Sequence, residues 1–395
     1  MKIKSLEAHP ILDSRGQWTI VARLETSTKR QATASVPQGK STGTHEAVAL
    51  PAEIAARNIN KIIAPKIARK DFRDQAALDL FLCDLDGTPS KKKLGANAIL
   101  ATSVTFLRAT AKTNGTPLWK HIRDISGLAV RKSRDMVHPR LFINVINGGL
   151  HAGNNLDFQE FLVIPKCRTI KESVEIGTRI YDELGKTLAR AKGKSARNIG
   201  DEGGYAPNFK DNLEPFSILR AVTKKLKLSK KVDFGMDAAA TDIKKNHPLK
   251  LRTAYEKLIK NYGLIYIEDP FGEEDFLSFA ALNMHFGKKL LIAGDDLTTT
   301  NVRRMERAHA ENSVNAIIIK PNQIGSVTDT LDAVRLARKY GWAVIVSHRS
   351  GDTNDSFIAD FAYGVGAEGF KLGAPARGER IAKYNRLLEI EKYEG

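Results

Sequence analysis

Cysteine is nearly absent: Cys83 and Cys167 are the only two in 395 residues, which excludes a disulfide framework and a cysteine metal centre. No apolar run approaches the roughly 18 residues that a membrane span needs. The opening Met1-Lys2-Ile3-Lys4-Ser5-Leu6-Glu7 has no apolar core of signal-peptide length. Acidic residues are in deficit, 45 against 62 Lys+Arg, for a net charge of +17. The basic clusters at 91–93, 224–231, 288–289 and 303–307 carry no interleaved aromatics and no zinc, RRM or helix-turn-helix signature. They read as a solvated basic face rather than a nucleic-acid site, although clustered cations of this kind can release counterions from phosphates. The charge would also draw in small anionic substrates. A glycine-rich dinucleotide turn is missing. Gly39-Lys40-Ser41-Thr42 is not a P-loop, because position 34 is Ala34 where the first glycine is required. What remains is the expectation of a cytoplasmic globular chain, long enough for one large domain and a smaller one.

What the sequence does contain is a series of short apolar runs, each closed by one charged or polar residue. Ala316-Ile317-Ile318-Ile319 ends in Lys320 and is stopped by Pro321; it reads as a buried strand. Residues 232–237, 264–268, 290–295, 343–348 and 369–371 repeat the pattern and end in Asp237, Glu268, Asp295, His348 and Lys371, at intervals of 23 to 31 residues. Repeated βα units of that length predict a parallel sheet, and so many of them favour a barrel with its site at the C-terminal strand ends. Before them, 20–26 alternates like a half-buried strand with 31–36 as a hairpin partner. Helical spacing covers 45–63 and 74–82, and 96–111 reads as a buried helix. The basic, turn-like stretch 129–139 is the expected boundary, giving an α+β domain over 1–130 and a barrel domain over 131–395.

Asp237, Glu268 and Asp295 at successive strand ends would repel one another unless a cation sat between them, and oxygen-only ligands suit magnesium. The blander reading makes each the cap of the following helix; three in register argue against it. Lys320 and Lys371 end strands of the same ring, where a crowded cationic setting lets a lysine act as a base; an ion pair with one of the acids is the plainer alternative. Ser347-His348-Arg349-Ser350 offers donors suited to an anionic oxygen cluster such as phosphate. Gly200-Asp201-Glu202-Gly203-Gly204 places paired acids in a glycine turn. Gln159 and Glu160 alternate on an extended segment, and His151 follows the Gly148-Gly149 turn. Residues 35–43 read as a glycine-containing lid.

These stretches, together with His9-Pro10-Ile11-Leu12-Asp13-Ser14-Arg15-Gly16, Lys93-Leu94-Gly95-Ala96-Asn97, Ile267-Glu268-Asp269-Pro270-Phe271, Gly294-Asp295-Asp296-Leu297 and Gly373-Ala374-Pro375-Ala376-Arg377, resemble the enolase family nearly end to end and in its order. The resemblance implies an enolase-type (β/α)8 barrel, whose first strands are not simple parallel repeats, under a smaller α+β N-terminal domain. It implies reversible dehydration of 2-phosphoglycerate to phosphoenolpyruvate with two Mg2+ per site, in a homodimer or in an octamer assembled from dimers. Lys320 matches the base at carbon 2 and Glu202 the acid at carbon 3, a role that calls for a raised pKa. Asp237, Glu268 and Asp295 match the ligands of one magnesium, and Ser41 that of the second. His151, Gln159, Glu160, His348, Arg349, Ser350 and Lys371 match residues around the substrate. The chain departs from the family at Gln38 and Lys40, where the lid usually has serine and alanine, at Gln17-Trp18 for Asn-Pro, at Thr241 for serine, and in its positive charge. A dehydratase acting on another acid and a secondary nucleic-acid or surface-binding role stay open as alternatives.

Overall fold

The structure, a computed structural model, describes residues 1–40, 42–128, 138–243 and 247–394. Three strands, β1 (Ile3–Leu12), β2 (Trp18–Thr26) and β3 (Gln31–Ser35), form an antiparallel sheet in that order. The sequence reading anticipated β2 and β3 but not β1. A register shift between Ile3 and Ser5 breaks the alternation that marks a strand. Helical spacing at 45–63 begins as helix only at Ala52, behind Pro51, because a residue before proline is pushed out of the helical region. That helix passes through a π turn at Ile59–Ile63. Asn60, in the turn, exchanges two hydrogen bonds of 2.8 Å with the backbone of Ala8 and so pins β1. The helix Ala96–Thr113 is buried along most of its length and packs on β2, β3 and the short helix Pro321–Ile324.

The second part of the chain closes into a barrel of eight strands: β4 (Arg140–Asn147), β5 (Glu160–Pro165), β6 (Val232–Asp237), β7 (Leu264–Glu268), β8 (Leu291–Gly294), β9 (Ala316–Ile319), β10 (Ala343–Ser347) and β11 (Gly369–Lys371). All neighbouring pairs are parallel except those of β5, which runs against both β4 and β6. The beginning of β5 therefore lies at the end of the barrel where the other strands finish. In β9, Ile318 faces the barrel interior with Phe142, Leu162, Tyr266 and Ile345, while Ile317 and Ile319 pack outward against the helical shell. Each buried isoleucine contributes about 1.5–3 kcal/mol. Pro321 ends the strand by opening the helix Pro321–Ile324, and Gly325 ends that helix at φ +89°. Among the described residues no helix is long and apolar enough to cross a membrane. The expected boundary at 130/131 lies outside the described residues.

Two of the basic clusters, 224–231 and 303–307, are laced with acids. Lys225 pairs with Glu183, Lys231 with Glu172, and Arg307 with Glu274 and Glu311. Arg304 and Arg307 also stack over Phe276.

A half-buried ion pair fastens the N-terminal layer to the barrel. Arg108 donates from both terminal nitrogens to Asp355, at 2.6 and 2.7 Å, and the Ser35 N–H donates to the same carboxylate at 3.0 Å. Burial pushes the Asp355 carboxyl up, but the Arg108 guanidinium outweighs it and holds the group below its ordinary value. A depressed carboxyl stabilises the fold above its unfolded pKa of about 4 and loses that contribution as the pH falls through its folded value. Asp355→Asn should therefore lose about 3 kcal/mol at pH 7, the cost of leaving Arg108 unpaired. The difference from the native protein should shrink below pH 4; urea titrations at pH 7 and pH 3.5 check both, and an equal loss at the two values removes the pair from the account.

Candidate active site

The strand ends converge on one pocket, lined by His151, Gln159, Glu160, Glu202, Asp237, Lys320, His348, Arg349, Ser350 and Lys371, with Gly39 of the N-terminal layer among them. The ladder explains the order. Glu160 pairs with Asp237, and Asp237 with Glu268, so three carboxylates stand side by side on β5, β6 and β7. Lys371, at the end of β11, places its ammonium 2.6 Å from Glu268, 3.2 Å from Asp237 and 3.2 Å from Glu160. Lys320 is paired with Asp295, whose other oxygen accepts from Gln323 at 2.9 Å.

Charge in this pocket is unevenly balanced. Burial pulls the Lys371 ammonium down, but Glu160, Glu268 and Asp237 outweigh it and hold the group well above its ordinary value. Asp295 does the same for Lys320 and is itself held low by it. One ammonium does not neutralise the acids crowded around it. Burial and the neighbouring Asp237 push Glu268 up to about 8, and burial with Asp295 pushes Asp296 to about 8. Glu160 and Asp269 are likewise raised by burial and by facing carboxylates. Glu268 Oε1 is buried without a hydrogen-bond partner.

This is the signature of a site short of positive charge, and it fits a divalent cation with oxygen ligands. Two groups bring donor atoms within 4.8 Å of one another, Asp269 with Asp295 and Asp296, and His151 with Glu160 and Glu202. The first is all oxygen. Asp237 and Glu268 belong to neither group and meet instead at Lys371. Ser41 lies outside the described residues.

Glu202 stands on a loop that only glycines allow. A Cβ on Gly200 would meet the His151 carbonyl at 2.5 Å, and Gly203 sits at φ +86°. Asn144 donates to Glu202 Oε2 at 2.9 Å. His348 Nε2 lies 3.3 Å from Oε2, and His151 Nδ1 3.5 Å from Oε1. The raised pKa expected for Glu202 is not found. Burial pushes it up, but the two imidazoles facing it pull harder and hold it well below the usual range. Burial in turn holds both rings below their ordinary value, His348 at about 4.

The N-terminal layer supplies the remaining contacts. Glu46 receives both terminal nitrogens of Arg349, at 3.0 and 3.1 Å. Gln38 bridges to Gly351 through the backbone, Lys40 N–H donates to Ser350 Oγ at 2.7 Å, and Lys40 Nζ reaches Asp201 at 3.0 Å. Sequence reasoning missed Glu46, Gln323, Asp269 and Asp296. The last two were visible as the second acid of the doublets Glu268-Asp269 and Asp295-Asp296. Both oxygens of Asp269 accept from the backbone of the other doublet, at 2.9 and 2.7 Å.

Family models agree with this architecture. The one described as the enolase C-terminal TIM barrel domain matches residues 135–395, and the one described as the enolase N-terminal domain matches 3–122. The chain is 40% identical to the enolase of Solanum lycopersicum over 99% of its own length and 95% of that protein's. It is equally similar, over the same shares, to enolase 2 of Hevea brasiliensis and to the enolase of Methanocaldococcus jannaschii. Two family models that leave few residues unmatched, and relatives that align end to end, place the chain in the enolase family.

Proposed function

We propose that the protein catalyses the reversible dehydration of 2-phosphoglycerate to phosphoenolpyruvate, a carbon–oxygen lyase step of glycolysis and gluconeogenesis, with two Mg2+ per site. The observation that carries this reading is the meeting, in one pocket, of a lysine paired to a strand-end carboxylate, a second lysine among three acids, and a glutamate facing two imidazoles. Asp237, Glu268 and Asp295 would hold one ion and Ser41, with substrate oxygens, the second. When bound, magnesium supplies positive charge to the substrate carboxylate, where charge builds up as the carbon 2 proton leaves.

The chain's own residues account for the rest. Lys320 takes the proton from carbon 2. Lys371 stabilises the extra negative charge of the ene-diolate, more in the transition state than before it. Glu202 gives its proton to the hydroxyl leaving carbon 3, so that water departs and the carbon 2–carbon 3 double bond forms. Arg349 and Ser350 receive the phosphate, which replaces Glu46 as the partner of the Arg349 guanidinium. His151, Gln159, Glu160 and His348 enclose the substrate between these groups. Residues 1–130 act as the capping domain and 131–395 as the catalytic one, in the cytoplasm. The partner in solution is a second copy, with assembly of such dimers into octamers open to it; exposed Leu12 and Trp18, paired across the β1–β2 hairpin, give that copy an apolar tip to cover.

Purified protein with 2-phosphoglycerate and Mg2+ should show a rise in ultraviolet absorbance from the enol product, abolished by a chelator. Lys320→Ala and Glu202→Gln should each lower kcat by about 10²–10⁴ with the circular dichroism spectrum unchanged; full activity in either removes that residue from the mechanism. Glu268→Gln should weaken Mg2+ binding by roughly tenfold or more in calorimetry, and an unaltered isotherm would show that the ion is held elsewhere. Trp18→Glu should shift sedimentation of the native oligomer toward the monomer; an unchanged profile places the interface away from the hairpin.

A further inference from the structure

Arg380, on the helix Gly378–Glu389, is fully buried and has no place in the scheme above. Its Nη1 donates to the Arg349 carbonyl at 2.6 Å and lies 2.7 Å from His348 Nδ1. Its Nη2 donates to the carbonyls of Ser350 at 2.5 Å and Asp201 at 3.2 Å. One guanidinium thus ties the turn that carries Glu202 to the segment that carries His348, Arg349 and Ser350.

The contact with His348 has a chemical consequence. A guanidinium has five N–H donors and no acceptor, so at 2.7 Å the imidazole Nδ1 must be the acceptor and carries no hydrogen. The ring hydrogen is then on Nε2, the nitrogen 3.3 Å from Glu202 Oε2. We propose that Arg380 is a positioning residue that fixes His348 as its Nε2–H tautomer and aims that N–H at the Glu202 carboxyl. This rests on the reading of Glu202 as the acid of the dehydration. His348 then presents a fixed N–H beside Glu202, with no hydrogen bond between them in the free protein, and the proton that Glu202 delivers does not come from it.

The surroundings leave the ring little choice. The charged groups facing it are Glu202 from the glycine turn, Asp352 from the segment after β10, and Arg380 itself. The Asp352 carboxylate is engaged by other cations, since one oxygen accepts from the buried Lys383 at 2.8 Å and the other lies 3.5 Å from Arg380 Nη1. A lysine at 380 would keep the charge but could not span four acceptors on two segments, because its donors radiate from a single nitrogen.

The tautomer can be read directly, without substrate or metal, so its outcome is separate from whether the protein turns over 2-phosphoglycerate. The full chain is labelled with 15N-histidine, and two-bond proton–nitrogen correlations are recorded at pH 7.5, with His348→Gln used to assign the ring. The native protein should show His348 bare at Nδ1 and protonated at Nε2. Glu202→Gln should leave that pattern unchanged, whereas Arg380→Met should yield Nδ1–H or a mixture, and should lower kcat at least tenfold. If Arg380→Met does not fold, Arg380→Gln, whose amide offers an acceptor as well as donors, is read in the same way. A native Nδ1–H ring, or an Arg380 variant whose ring signals match the native ones, overturns the proposal.

Discussion

The fully buried ammonium of Lys371 lets three carboxylates stand side by side at the mouth of the barrel. Each of those acids, taken into the protein alone, would cost several kcal/mol or else hold a proton. Their proximity follows from the ladder. Glu160, Asp237 and Glu268 are consecutive partners across β5, β6 and β7, and adjacent strands lie about 4.8 Å apart. Glu160 joins them only because β5 runs backward and brings its first residue to the finishing end of its neighbours. A slip of one residue in any of these ladders would turn its carboxylate away from Lys371. The barrel's register and the site's electrostatics are one constraint.

The N-terminal layer completes the site instead of merely covering it. Glu46 reaches across to Arg349, Lys40 to Ser350 and Asp201, and the Gln38 backbone to Gly351. These contacts depend on the layer being fixed, which the Arg108–Asp355 pair and the packing of helix Ala96–Thr113 against the Pro321–Ile324 turn provide. That turn begins directly after Lys320, so the same packing orients the proposed base. An exposed pair such as Lys40–Asp201 contributes at most about 1 kcal/mol. The fixed geometry must therefore come from the buried and half-buried pairs and from burial of the helix.

Much of this was legible in the sequence because strand, stop and chemistry coincide. Ala316–Ile319 could only be a buried strand, Pro321 had to end it, and a lysine left at that edge needed a purpose. The family resemblance implied that the first barrel strands depart from simple parallel repeats, but not that β5 is the one that runs backward, which no periodicity in 160–165 would have revealed. Two kinds of feature stayed hidden. β1 was concealed by its register shift, which offsets the alternation of buried residues near Ile3 and Ser5. Partners distant in sequence were concealed by that distance: nothing local tells Glu46 that it will meet Arg349, or Arg380 that it will meet His348. Asp269 is an intermediate case, since its doublet was visible but its service to the backbone of Asp295 and Asp296 was not.

The missing raised pKa of Glu202 is informative about the state of the free site. With no substrate, Arg349 is neutralised by Glu46, Lys320 by Asp295, and Lys371 by three acids. Every cation needed for binding or catalysis is already engaged, and Glu202 is held low by the imidazoles it faces. A substrate that brings a phosphate and a carboxylate changes each of these balances at once. In the proposed scheme phosphate would compete with Glu46 for Arg349, and negative charge arriving beside Glu160 and Glu202 would push both carboxyls toward their protonated forms. Lys320, were it released from Asp295, would face Arg349 and Lys371, which favour loss of its proton, and Glu268, which opposes it. The acid and the base are thus poorly tuned in the free protein, and an anionic substrate adjusts the acid in the sense the dehydration requires.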